Sequence, residues 1–269
     1  MKLSQIAEIL HSKTETHPDV DIQWLLTDSR SLSFPEETLF FALKTTRNDG
    51  HHYISELYNQ NMRCFVVSDL PAEADTMPDA VFFQVENVWA ALHKLASVHR
   101  SLFHIPVIGI TGSNGKTVVK EWLYQLLNED LRIVRSPRSY NSQVGVPLSV
   151  WSLNESTELG IFEAGISQMH EMEKLQAIIR PTIGIFTNLG DAHQEGFSGL
   201  KQKADEKMKL FREAEVLIFS SDDKLVEISI TQANLKAKLF SWGKKADAHL
   251  QVLKVEKNGN TFVDLKYGN

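Results

Sequence analysis

The stretch Gly109-Ile110-Thr111-Gly112-Ser113-Asn114-Gly115-Lys116-Thr117 restricts what this chain can fold into more than any other. It follows the β-branched run Val107 to Ile110 and leads into an amphipathic pattern from Val118 to Leu127, so a buried strand must turn through glycines directly into a helix. Gly112 and Gly115 open backbone angles closed to other residues and allow close approach to a ligand, and successive N–H groups at the helix start can then face an anion. Lys116 offers an ammonium for the β and γ phosphates of ATP, and Thr117 a hydroxyl for Mg²⁺. The expected nucleotide-binding set is therefore Gly112, Ser113, Asn114, Gly115, Lys116 and Thr117. A strict Walker A loop would carry glycine at position 110, where this chain has isoleucine.

Strand-like runs alternate with helical patterns on both sides of the loop, the mark of an α/β fold with a mostly parallel sheet. Leu39 to Leu43, Cys64 to Val67 and Val81 to Val85 read as strands of a first group, closed by a helix from Val88 to Phe103. After the loop, strands are predicted at Leu131 to Val134, Leu159 to Glu163, Ile183 to Asn188 and Val216 to Ser220. Near the end, Asn258-Gly259 signals a hairpin between Leu250 to Val255 and Thr261 to Lys266. A length of 269 residues suits two domains, and the restart of strand pattern near His104 puts their boundary between 1–104 and 105–269. With 42% hydrophobic and 23% charged residues the chain is an ordinary globular one, and its formal charge of -6 argues against a nucleic-acid backbone as partner. The single cysteine, Cys64, lies in an apolar run and reads as a buried thiol. The start lacks a signal-peptide pattern and no run is long enough to span a membrane, so a cytoplasmic location is expected.

Thr-Gly-Ser-Asn-Gly-Lys-Thr is similar to the shortened loop of the Mur ligase superfamily, and further segments agree. Thr27-Asp28-Ser29-Arg30, with Leu39 to Lys44 and Asp49-Gly50-His51, resembles the UDP-binding domain shared by the MurE and MurF branches. Gly115-Lys116-Thr117-Val118-Val119-Lys120-Glu121 and Tyr140 to Pro147 look more like MurF. Phe162 to Gly165 and Asn188 to Phe197 complete the central-domain pattern, with Glu163-Ala164-Gly165 where the family usually reads Glu-Leu-Gly. The resemblance implies an ATP-binding central domain behind a UDP-binding one, and a ligase that joins D-Ala-D-Ala to UDP-MurNAc-tripeptide through an acyl phosphate in peptidoglycan synthesis. It also implies a third, C-terminal domain, so the chain is expected to be a fragment that does not ligate alone; some relatives add a fused alanine racemase domain.

The resemblance further implies Lys116, Glu163, His193 and Lys207 as catalytic residues, and Thr117, Glu163, His193 and Lys207 as the Mg²⁺ set. Glu163 ends an apolar strand, where a lone glutamate would more often be a cap. His193 would, in isolation, read as structural. Lys207 falls on the apolar face formed by Leu200, Ala204, Met208 and Phe211, while Lys201, Lys203 and Lys209 are assigned mostly elsewhere. A lysine on such a face can simply snorkel to water; the family instead carbamylates the matching residue. Ser29 and Arg30 are the leading candidates for the UDP portion, with Lys44 and His51 behind them, and Asn141 for the acceptor or its phosphates. Another Mur-superfamily ligase, MurE-like or folylpolyglutamate-synthase-like, and a non-catalytic nucleotide-binding module remain open alternatives.

Overall fold

The computed structural model describes residues 1–14, 19–190 and 196–268. The chain divides into two compact units, Met1–Leu102 and Phe103–Asn269. The first unit holds helix α1 (Leu3–Leu10), strand β1 (Trp24–Leu26), β2 (Thr38–Phe41), α2 (Ile54–Asn59), β3 (Cys64–Val67), β4 (Val81–Gln84) and α3 (Val88–Ser101). Its four strands run parallel in the order β1-β2-β3-β4. β2 and β3 are buried along their whole length, as continuous apolar strands between two covered faces must be. Phe65 sits in a cluster with Leu26, Phe40, Ile54, Leu57 and Met62, its ring stacked on Phe82 at 5.3 Å and edge-on to Phe40 at 6.4 Å. Cys64 is buried, and that burial pushes its thiol pKa up to about 12, which makes it inert.

The second unit runs β5 (Val107–Thr111), α4 (Lys116–Leu127), β6 (Ile133–Arg135), α5 (Gly145–Trp151), β7 (Leu159–Glu163), α6 (Glu171–Ile179), β8 (Ile183–Phe186), α7 (Leu200–Met208), β9 (Val216–Ser220), α8 (Lys224–Ala233), β10 (Lys238–Gly243), β11 (Leu250–Asn258) and β12 (Asn260–Tyr267). The sheet order is β12-β11-β10-β9-β8-β5-β7-β6, parallel throughout except for the β11/β12 hairpin. β5 lies between β7 and β8, its residues alternating between the two sheet faces. On one face Ile108 and Ile110 join Leu159 and Ile161 under Val119, Leu123 and Leu127 of α4. On the other, Gly109 leaves room for Pro181 and Leu210.

The structure differs from the sequence reading at several element ends. α4 begins at Lys116, inside the phosphate-loop motif, and the hairpin strands extend to flank Gly259 alone. β1 and β10 have no counterpart in the sequence reading: β1 has only three residues, and β10 opens on exposed Lys238 and Leu239, which hides its strand pattern. Among the described residues no helix is long and apolar enough to cross a membrane.

Truncating the ring at the centre of the first unit tests this packing. Phe65→Ala is expected to cost ~3–5 kcal/mol of that unit's stability, read from chemical denaturation.

Candidate nucleotide and metal site

The loop between β5 and α4 lies at the carboxyl edge of the sheet, where ligands of open α/β folds bind. Two of its residues need glycine's freedom. Gly112 has φ +143°, and a Cβ there would fall 2.0 Å from Thr187 Oγ1; Gly115, with φ +80°, caps the helix in a left-handed conformation. The turn after β8 clamps the loop. Ser113 N donates to Asn188 O at 2.8 Å, Asn114 N to Asn188 Oδ1 at 2.9 Å, and Ser113 Oγ exchanges hydrogen bonds with Gly190 O and N, each at 2.9 Å.

Three lysines gather around this clamp. Lys116 Nζ donates to Gly112 O at 2.9 Å, and the buried Lys207 donates to the same carbonyl at 3.1 Å. Lys203 is also buried and reaches Gly190 O at 2.6 Å. The sequence reading had assigned Lys203 away from this face; the structure corrects it. The missed signal was spacing, because residues 203 and 207 are four apart and share one helical stripe. Burial, then the nearby charges of Lys116 and Lys203, push the Lys207 pKa down to about 7. Burial also lowers that of Lys116, with Lys203 adding to the effect and Glu163 opposing it.

Glu163 ends β7 fully buried. Its Oε2 accepts from Thr117 Oγ1 at 3.0 Å. Its Oε1 lies 2.9 Å from Lys120 Nζ, but the angles are not those of a hydrogen bond, so a buried carboxylate oxygen keeps lone-pair capacity. A carboxyl oxygen with spare capacity beside a threonine hydroxyl is the donor chemistry of a hard divalent cation such as Mg²⁺. Among the described residues no three His, Cys, Asp or Glu side chains form a ready-made metal cage, and Mg²⁺ commonly relies on few protein ligands plus substrate phosphates. His193 lies outside the described residues. Asn141 is held at the same rim, with Gly165 N donating to its carbonyl at 2.8 Å.

Beside the loop, the ends of β8, β9 and β10 enclose an open cavity of about 510 Å³. Asn188, which clamps Asn114, also lines it, together with Asp222, Lys224 and Trp242.

In the first unit, Ser29 and Arg30 occupy a 3₁₀ turn capped by Asp28. Arg30 is exposed and donates to Asp28 through Nε at 2.9 Å and Nη2 at 2.6 Å, so its fork is displayed but already engaged. Lys44 is exposed, 3.4 Å from Asp49. His51 differs from the other three. Its Nε2 accepts from Ser68 N at 3.0 Å, which leaves the proton on Nδ1, 2.6 Å from Asp49 Oδ1. With both nitrogens engaged, this ring ties the Asp49 turn to the end of β3, so its visible work is tethering.

Residues 110–269 match the Mur ligase middle domain family. The chain belongs to the Mur ligase family. Within it the chain is MurF-like. It is 28% identical over 244 residues to the UDP-N-acetylmuramoyl-tripeptide--D-alanyl-D-alanine ligase of Bacillus subtilis, a match covering 90% of this chain and 52% of that protein. The crystal structure of MurF from Acinetobacter baumannii superposes with a TM-score of 0.87 at 21% identity, covering 98% of this chain and 58% of that one. The Thermotoga maritima MurF structure, in complex with ADP, gives 0.77 at 24% identity, covering 91% and 56%. The chain thus spans about half the length of the Mur ligases it matches.

The Asp49 tether makes a pH-dependent contribution to the first unit. Partial burial disfavours the Asp49 carboxylate, but the amide and ring N–H of His51, with Lys44, outweigh it and hold its pKa at about 2, below the ordinary 3.8. A depressed carboxylate contributes stability that is complete above about pH 4 and lost as pH falls through about 2. Asp49→Asn should flatten the loss of stability over that interval, as followed by denaturant unfolding at each pH; an unchanged slope would count against the assignment.

Proposed function

We propose that this chain is the nucleotide-binding and acceptor-binding part of a ligase that uses ATP to join D-Ala-D-Ala to UDP-MurNAc-tripeptide. The observation that carries the reading is the meeting, at one phosphate-type loop, of the Lys116 and Lys207 side chains with Thr117 and the buried Glu163 it bonds. In the first step the acceptor's terminal carboxylate oxygen attacks the γ-phosphorus of ATP, ADP leaves, and an acyl phosphate forms. The D-Ala-D-Ala amine then attacks the acyl carbon, losing a proton as inorganic phosphate departs. Phosphoryl transfer asks the protein mainly for positioning and charge neutralisation.

Lys116 would exchange its contact with Gly112 O for phosphate oxygens, a charge-assisted replacement for a neutral one. The amides of Gly115, Lys116 and Thr117 open α4 and would face the same oxygens, while Gly112, Ser113 and Asn114 hold the curve of the loop. Thr117, Glu163, His193 and Lys207 would hold Mg²⁺, which when bound neutralises the charge of the transferring phosphoryl group. The lowered pKa of Lys207 favours a neutral amine able to take up CO₂, and the resulting carbamate would turn a cation into an oxygen ligand. The cavity lined by Trp242 and by Asn188, which also bonds Asn114 of the loop, would take the adenosine moiety. Ser29 and Arg30, with Lys44, would serve the UDP portion, Arg30 trading Asp28 for diphosphate; Asn141 would orient the acceptor, and His51 would act through its loop. On this reading 1–104 is the UDP-substrate domain and 105–269 the ATP domain of a cytoplasmic enzyme.

Lys116→Ala should weaken Mg·ATP binding by roughly 10- to 150-fold and leave the thermal midpoint near that of the parent, since a half-buried loop lysine adds little to the core. Calorimetry reads both. Equal affinity in the two proteins would remove Lys116 from the phosphate site. In the same instrument, binding of UDP-MurNAc-tripeptide that tightens with Mg·ATP present supports the ligase, whereas nucleotide binding indifferent to any such acceptor favours the non-catalytic module.

A further inference from the structure

Lys120 is a lysine for which no role has yet been needed. It is fully buried one turn beyond the phosphate loop, and water cannot solvate its ammonium. Four oxygens take that place. Glu163 Oε1 is 2.9 Å away, Ser136 O accepts at 2.8 Å, Glu121 Oε1 is 3.2 Å away, and Arg138 O also accepts. Because residues 117 and 120 are three apart on α4, they present to the same side: Thr117 Oγ1 reaches one oxygen of Glu163 and Lys120 Nζ the other. Two contacts on two oxygens fix the plane of a carboxylate.

The same ammonium holds the segment after β6. Ser136 is locked against β7 from both directions, its N donating to Ile161 O at 3.1 Å and its Oγ accepting from Glu163 N at 3.2 Å. Arg138 is kept in the left-handed region, φ 48°, and three residues on, Asn141 meets Gly165. We infer that Lys120 is a positioning residue: through one buried ammonium it orients the Glu163 carboxylate toward the cation of the phosphate site and couples that orientation to the 136–141 segment carrying Asn141. This inference rests on the nucleotide site proposed above.

The test has two parts, both on the full 269-residue chain with Mg·ADP as probe. First, Lys120→Gln keeps a donor for the Ser136 carbonyl but removes the charge. The Mg²⁺ concentration giving half-maximal ADP binding should rise by about tenfold or more, as losses of groups orienting a metal ligand do, while ADP affinity in EDTA stays unchanged. A purely structural role would lower both affinities together and sinks the inference, as does a folded variant with parental Mg²⁺ dependence. Second, hydrogen exchange on the unmutated chain needs no variant to fold. Adding Mg·ADP should slow exchange across 137–141; exchange unaltered there refutes the coupling whatever the variant does. If the unmutated chain binds no Mg·ADP, the nucleotide reading falls and this inference with it, whereas normal binding with a silent Lys120→Gln removes only Lys120.

Discussion

The contact on which the second unit depends is that of the buried Glu163 with Thr117 and Lys120. A carboxylate shut away from water must find compensation inside the protein or give up its charge. Here the compensation comes from the first turns of α4, so the helix that receives the phosphate loop is also the element that keeps Glu163 in place. The loop, the end of β7 and the segment after β6 therefore cannot be adjusted one at a time. Two further ammonium groups, those of Lys116 and Lys207, converge on the carbonyl of Gly112 in the adjoining loop.

The first unit is organised differently. Its sheet is packed by aromatic residues, and its polar candidates sit on turns fixed by short aspartate caps, Asp28 for the Ser29 turn and Asp49 for the turn at Gly50. Arg30 stands exposed on the first of these turns, Lys44 is exposed beside Asp49, and His51 lies within the second turn with both nitrogens engaged. Of the four candidates read there, Ser29 and Arg30 share one turn, Arg30 and Lys44 are displayed cations, and His51 is held within the unit.

Legibility in the sequence followed the strength of the local constraint. The phosphate loop was plain because strand, glycines, lysine and helix must occur in that order. Glu163 and Lys207 were visible as charges at the end of an apolar strand and on an apolar helix face. Lys203 and Lys120 were not singled out, although both carry a signal in their spacing, from Lys207 and from Thr117. Their meaning depends on carbonyls of Gly190, Ser136 and Arg138, and no residue type announces which backbone oxygen will face it. β1 and β10 escaped because a three-residue strand has no period to detect and a strand starting in exposed residues breaks the apolar pattern.

The placement of β5 also bears on the order in which the molecule assembles. Every neighbour it has in the sheet is remote in sequence: Val107 pairs with Gly160, and Ile108 with Ile183. Pairings at such separation are slow to close and come after local structure. During synthesis, the loop after β5 emerges long before the strands that will flank it, and its clamp at Asn188 emerges later still. A nascent chain therefore passes through a long interval in which the complete glycine-rich loop has been made but the neighbours and the clamp that fix it in the folded unit have not.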